Sequence, residues 1–114
     1  MLTLLSPAKT LNFDFDTNGL PVTAPRFEQD STELLATCRG LSVAQLRKLM
    51  SISQSLAELG RERFQAMEYP LTPDNSRPAV LAFRGDVYRG LDAPGLGKRD
   101  LTWAQRRLRI LSGF

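Results

Sequence analysis

Four polar side chains and a glycine that could together form a ligand site follow an apolar run that ends at Phe83. Such a run predicts a buried strand, and α/β proteins place ligand sites at the carboxyl ends of their strands. Glycine allows close backbone approach, aspartate can move a proton, tyrosine offers a hydroxyl and a ring, and arginine forks bind phosphate. In the structural alternative, Asp86 caps a helix and pairs with Arg84. The candidate residues are Arg84, Gly85, Asp86, Tyr88 and Arg89.

A second candidate segment, Ser6-Pro-Ala-Lys-Thr-Leu11, follows the predicted first strand. Its backbone amides, its hydroxyls and the Lys9 ammonium can hold a phosphate or carboxylate, although the glycines of a P-loop are missing. An ordinary turn after a strand is the alternative. If the two strands are neighbours, Lys9 and Arg84 would hold an anion. Asp86 would then act as the acid or base, and Tyr88 would position the substrate.

Residues 46–64 predict two short helical pieces that are separated by a break at Gly60. In a helix-hairpin-helix, the backbone amides of a glycine turn and nearby cations contact the phosphates of one DNA strand. The usual hairpin has two glycines, and only Gly60 stands here. An ordinary corner between helices, capped by Gly60, is the alternative. The cations available to the hairpin are Arg47, Lys48, Arg61 and Arg63.

A basic amphipathic helix is predicted from Asp100 to about Leu111, because Leu101 and Leu108 share its apolar face. Trp103 could stack on a nucleic-acid base. The ordinary role of a tryptophan is burial in a core, and we expect that role here.

The remaining pattern predicts two short strands, at about 1–5 and 79–84, with three to five helices. Proline- and glycine-rich loops separate these elements. This arrangement is typical of an α/β fold, with α+β as the alternative. The other expected helices cover 26–39, a segment capped by Ser42, 53–59 and 61–67.

The composition restricts the chemistry of any site. The chain has 114 residues, no histidine and a single cysteine, Cys38, so it can form neither an intrachain disulfide nor a classical zinc site. We therefore expect no metal and no cofactor. No apolar run approaches the roughly 20 residues of a membrane span, and no signal peptide is evident, which favours a cytoplasmic protein without a membrane partner.

Charge is unevenly distributed along the chain. Residues 1–33 carry two cations and five carboxylates, whereas residues 34–114 carry thirteen cations and seven carboxylates. Twelve of the fifteen cations are arginine, which suits bidentate recognition of phosphate or carboxylate. The basic part favours an anionic partner, and a solvated charged surface is the alternative.

Residues 108–114 are apolar apart from Arg109 and Ser112. Two short strands are too few for a stable sheet. We therefore expect residues 1–114 to be a single incomplete domain, the N-terminal portion of a longer protein. An inactive fragment is one alternative for its function, and such a fragment would tend to self-associate through its exposed apolar end.

Three blocks of sequence together resemble one known family. They are Leu4–Leu11, Leu81–Leu91 and Leu108–Phe114. Their residues, order and spacing are similar to those of the YaaA family of bacterial peroxide-stress-resistance proteins, across essentially the whole chain. Family members are longer than this chain. They usually have asparagine where Gly60 stands, and both residues tolerate the left-handed conformation.

The resemblance implies a cytoplasmic α/β protein of the oxidative stress response. Such a protein would limit hydrogen peroxide damage to DNA, partly through iron homeostasis that keeps free iron low. It also implies duplex DNA binding through a helix-hairpin-helix and a basic cleft. No reaction comes with the resemblance, so a binding protein is expected rather than an enzyme.

Overall fold

The computed structural model describes residues 1–17 and 19–112, and the chain divides into two compact units. The first unit combines Met1–Ala24 with the segment from Ser76 onward, and the second covers Pro25–Asn75. Helices and short strands are both present, so the predicted α/β class is confirmed. The described residues contain six α-helices and four strands, more than the sequence pattern predicts.

Backbone hydrogen bonds between two pairs of strands connect distant segments of the first unit. Strand β1 (Thr3–Leu5) pairs in parallel with β4 (Leu108–Ile110), and β2 (Thr10–Leu11) pairs antiparallel with β3 (Phe83–Arg84). Hydrogen bonds beyond the ladder extend the first pair at both ends, from Thr3 N to Arg107 O at 2.7 Å and from Leu111 N to Leu5 O at 2.9 Å. The buried side chains of this unit are Leu81, Ala82, Tyr88 and Ala93.

The strand predicted at about 79–84 is wrong over most of its length. Helix α4 spans Ala79–Ala82, and only β3 is extended. The Pro78 carbonyl accepts hydrogen bonds from the amides of Leu81 and Ala82, both at 3.0 Å. Proline is well suited to a helix start, and alanine and leucine are strong helix formers. A short apolar run cannot by itself distinguish a buried strand from a buried helical turn.

The helix predicted from Asp100 to Leu111 is also corrected. Helix α6 spans Lys98–Gln105, and the chain then becomes strand β4. The backbone groups of β1 need hydrogen-bond partners, and residues after Arg106 supply them by leaving the helix. Between β3 and α6 lie α5 (Asp86–Leu91) and a 3₁₀ turn (Ala93–Gly95).

The second unit consists of three helices, and two of them begin with a serine cap. They are α1 (Glu28–Arg39), α2 (Val43–Met50) and α3 (Gln54–Ala66), and α3 packs against both of the others. Ser42 forms a capping box with Gln45, as its position predicts, and Ser53 caps α3. The buried side chains are Ser31, Leu35, Leu46 and Ala57.

Arg39 ties the end of α1 to the end of α3. Its guanidinium donates to Phe64 O at 2.9 Å and also to Met67 O, while Gln65 Nε2 donates back to Arg39 O at 3.1 Å. The last carbonyls of a helix have no partners within the helix. A cation at this position therefore satisfies them and suits the negative end of the helix dipole.

The break predicted at Gly60 is wrong, because α3 runs without interruption from Gln54 to Ala66. The cost of glycine inside a helix is only about 1 kcal/mol, and its neighbours in sequence are good helix formers. The chain reverses instead between α2 and α3, where Ser51 adopts the left-handed conformation with φ 52° and ψ 48°. The turn that joins these two helices therefore lies at 51–53 and not at Gly60.

Replacing Gly60 by alanine tests this placement. A Cβ built at Gly60 meets no atom within 4 Å, so Gly60→Ala should raise the free energy of unfolding by about 0.5–1 kcal/mol. Urea unfolding followed by circular dichroism measures the change. If Gly60 were a left-handed turn residue, the same substitution would destabilise the chain.

Gly85 provides the matched comparison. It precedes α5 with φ 133° and ψ 176°, a region that only glycine occupies without strain. A Cβ there also meets no atom within 4 Å, so any loss in Gly85→Ala comes from the backbone. We expect a loss of about 1–3 kcal/mol. Equal effects of the two substitutions would contradict at least one of the two assignments.

Candidate functional site

The two sequence segments that carry the candidate anion site are brought together in the first unit. Strand β2 sets Thr10 opposite Arg84 and Leu11 opposite Phe83. Continuing this antiparallel register by one residue places Lys9 opposite Gly85. Segments that are more than seventy residues apart in sequence therefore share one two-stranded ribbon.

Tyr88 joins the same two segments through its side chain. The residue is 7% exposed, its hydroxyl donates a hydrogen bond to Ser6 O, and its ring meets Phe83 edge-on at 5.4 Å between centroids. Burial raises the pKa of the Tyr88 phenol above its ordinary value. The hydroxyl that was proposed to position a substrate thus donates to the backbone of the Ser6–Leu11 segment.

The charged candidates of the 84–89 segment are engaged in local contacts. Arg84 Nη1 donates to the carbonyl oxygens of Leu81 and, at 3.3 Å, Phe83. Asp86 pairs with Arg89 one helical turn away, where the two side chains are 93% and 79% exposed. An exposed ion pair of this kind contributes little energy, because water screens both charges. Asp86 therefore pairs with Arg89. The structural alternative, which predicted a pair between Asp86 and Arg84, is wrong on this point.

The four hairpin cations of the second unit fall into two groups. Arg47 and Lys48 lie in the last turn of α2, next to the chain reversal. Arg61 Nη1 donates to Leu41 O at 2.7 Å, near the other end of the hairpin. Arg63 lies in the last turn of α3, and two residues along a helix project about 200° apart. The cations therefore do not converge on Gly60, which lies within α3.

The first turn of α3 holds one of these cations in place. Arg47 Nη1 donates to Gln54 Oε1 at 3.3 Å, so the guanidinium lies beside the first residue of that helix. The N-terminus of a helix carries a partial positive charge and unpaired amides. Arg47, Lys48 and the start of α3 thus combine positive groups at one end of the hairpin.

Helix α6 presents an accessible surface around Trp103. Trp103 is 55% exposed, which corrects the expectation that it packs in a core. The Arg107 guanidinium lies over its ring, 4.4 Å from the centroid. An open depression of about 730 Å³ lies along the helix. Its lining residues are Lys98, Arg99, Asp100, Thr102, Trp103 and Arg106.

The described residues offer neither a metal cluster nor a membrane span. Among residues 1–17 and 19–112, no three histidine, cysteine, aspartate or glutamate side chains lie close enough together to hold a metal ion. None of the helices in the same part of the chain has both the length and the apolar character needed to cross a bilayer.

The raised pKa of Tyr88 gives the first unit an alkaline limit. A tyrosine in an unfolded chain ionises near pH ~10. The folded state holds the proton more tightly, so the contribution of Tyr88 is complete below that pH. It is lost as the pH rises toward the folded pKa. Stability measured by urea unfolding between neutral and strongly alkaline pH should fall accordingly.

Tyr88→Phe removes this ionisation and the hydrogen bond to Ser6. We expect it to cost about 1 kcal/mol at neutral pH. It should also flatten the alkaline decline. Tyr69→Phe, which removes the other tyrosine of the chain, should leave the decline in place. An unchanged alkaline profile in Tyr88→Phe would show that the phenol is not buried.

Comparison with known proteins identifies the family. Residues 1–114 match the family described as peroxide stress protein YaaA. UPF0246 proteins from Idiomarina loihiensis and Alteromonas mediterranea are each 48% identical over the whole chain, and one from Roseobacter denitrificans is 46% identical. The chain spans 43–44% of the length of these relatives. On this evidence the chain belongs to the peroxide stress protein YaaA family.

Proposed function

We propose that the protein acts in the cytoplasm, where it binds duplex DNA and limits iron-dependent oxidative damage during peroxide stress. The family description supports the role in peroxide stress. The observation that carries DNA binding is the contact between Arg47 and Gln54, which holds a guanidinium at the start of α3. A phosphate oxygen at this position would meet helix amides and arginine donors together.

Three residues, 51–53, reverse the chain between α2 and α3. Ser53 Oγ accepts the Leu56 amide at 3.3 Å, so a phosphate would have to use the amides that precede Leu56 in the first turn of α3. Lys48 is exposed beside Arg47 and provides a second charge on the same turn. The side chains at this end of the hairpin can therefore contact phosphates without entering a groove, which gives binding independent of sequence.

The charge of the second unit limits how many phosphates it can contact. Residues 25–75 carry six cations against seven carboxylates, a net charge of −1. Binding must then come from a local cluster and not from a broad positive field. Contacts by Arg47 and Lys48 alone predict that log K falls with log salt with a slope of about −1.8. Contacts by Arg61 and Arg63 as well would predict about −3.6.

Arg47→Gln and Lys48→Gln test the hairpin turn. Each should weaken duplex binding and make the salt slope shallower by about 1, because each removes one phosphate contact. Fluorescence anisotropy of a labelled DNA duplex, measured over a salt series, gives both quantities.

The matched control is Arg26→Gln, which removes an exposed cation from the same unit but away from the hairpin. It should leave the slope unchanged. Arg63→Gln measures whether the duplex also reaches the far end of α3. Equal affinities for Arg47→Gln, Lys48→Gln and the parent protein would remove the proposal.

A small-anion site, with or without an enzymatic reaction, is the second candidate. It is favoured by the pairing of Thr10 with Arg84, because exposed Lys9 and Gly85 are the next residues along the two strands. A lysine next to a glycine backbone can hold a phosphate or carboxylate.

Binding of inorganic phosphate tests this second candidate. A ligand that binds only the folded state raises stability with its concentration. Phosphate should therefore raise the thermal midpoint of the parent protein but not that of Lys9→Gln. Chloride at matched ionic strength is the control. Identical responses of the two proteins to phosphate would exclude an anion site at Lys9.

A further inference from the structure

We propose that α6 forms a second nucleic-acid surface, one that binds a single-stranded segment by stacking an unpaired base on Trp103. We call this surface the α6 patch. It lies in the first unit and does not depend on duplex binding by the hairpin. Its residues are Lys98, Arg99, Trp103, Arg106 and Arg107.

The positive charge of the first unit is concentrated at the α6 patch. Its two segments, 1–24 and 76–113, carry nine cations against five carboxylates, a net charge of +4. Residues 98–109 alone carry five cations against Asp100, which is also +4. Twelve consecutive residues therefore account for the whole excess. Such a local excess attracts a polyanion and guides it to this helix.

The cations of the α6 patch are available to a ligand. In the part of the chain that the structure describes, none of the four cations of the patch forms an ion pair with a carboxylate. These cations are Lys98, Arg99, Arg106 and Arg107. Arg109, by contrast, donates to the carbonyl oxygens of Gln105 and Leu108, both at 2.7 Å. The four patch cations can therefore contact phosphates, whereas Arg109 serves to hold the helix end.

Trp103 gives the patch its preference for a base. An indole that is 55% exposed leaves a large apolar surface in water, which is unusual for this residue. The Arg107 guanidinium occupies one face of the ring, 4.4 Å from its centroid, so a base would stack on the other face. The open depression of about 730 Å³ described above adjoins the ring.

The cations and the exposed indole of the α6 patch together favour a single strand over other polyanions. A duplex keeps its bases stacked inside, so it would use the cations and leave the indole exposed. An acidic peptide would likewise pair with the cations, without a ring to stack. A single strand presents phosphates and unpaired bases at once, and proteins that bind single strands combine these same two kinds of contact.

The fluorescence of Trp103 reports directly on this site, because it is the single tryptophan of the chain. Titration with a thymidine oligonucleotide should quench this fluorescence at low salt. Trp103→Ala should weaken binding of the labelled oligonucleotide, followed by anisotropy, by roughly 5- to 150-fold. Trp103→Phe keeps an aromatic ring and should retain most of the affinity. Arg106→Gln should make the salt slope shallower by about 0.7.

Parallel titrations distinguish base stacking on Trp103 from simple attraction between opposite charges. Absence of quenching, or equal affinity in Trp103→Ala and the parent protein, would overturn the proposal. Polyglutamate that quenches Trp103 as strongly as the oligonucleotide would assign the patch to acidic proteins instead. Circular dichroism should show that each variant is folded, because the substituted side chains are exposed.

The two nucleic-acid proposals can fail independently. Arg47→Gln should impair binding of duplex and leave quenching by the oligonucleotide intact. Arg106→Gln should do the reverse. If both substitutions impair both ligands equally, one shared surface is at work and the separate α6 patch is wrong.

Discussion

Backbone pairing between distant segments is the constraint on which the first unit depends. Thr3 pairs with Leu108 and Thr10 with Arg84, so the partners lie 105 and 74 residues apart in sequence. Closing such long loops costs chain entropy, although the cost grows only with the logarithm of loop length. The buried ring and hydroxyl bond of Tyr88 reinforce the second pairing. Its phenol contacts Ser6, on the segment that also carries Lys9. The candidate anion site thus exists only as a product of this pairing.

The second unit follows a different rule, and this explains why its helices could be predicted. Helices α2 and α3 each begin at a serine cap and pack against each other across a short turn. The predicted start of α2 at Ser42 is confirmed by the capping box. Gly60 shows the limit of such reasoning. A glycine penalty of about 1 kcal/mol is smaller than the packing and hydrogen bonds that a continuous α3 retains, so the expected break does not form. The turn instead uses Ser51, whose left-handed backbone no composition rule would select.

The first unit could be predicted less well because its elements are chosen by distant partners. Residues 108–110 have an apolar pattern that also suits the end of a helix, and only β1 decides that they become a strand. Residues 79–82 are as apolar as a buried strand, yet Pro78 starts a helical turn. The identities of the candidate site residues could be chosen from sequence, but their contacts could not. Arg84 and Asp86 stand side by side in sequence around Gly85, and they use different partners because α5 begins between them.

The distribution of charge distinguishes two ways in which this chain could meet a nucleic acid. The hairpin belongs to a unit with a net charge of −1, so its contribution is geometric, through a guanidinium fixed at a helix start. The α6 patch carries the whole net positive charge of its unit, so its contribution is a positive electrostatic field together with an exposed aromatic ring. The same strand pairing that shapes the first unit also positions this patch. Only Arg106 and Arg107 separate α6 from β4, so the register of β4 against β1 fixes the point at which the patch ends. A change that disrupts the β1–β4 pairing would therefore disturb Trp103 and Arg107 without touching either side chain.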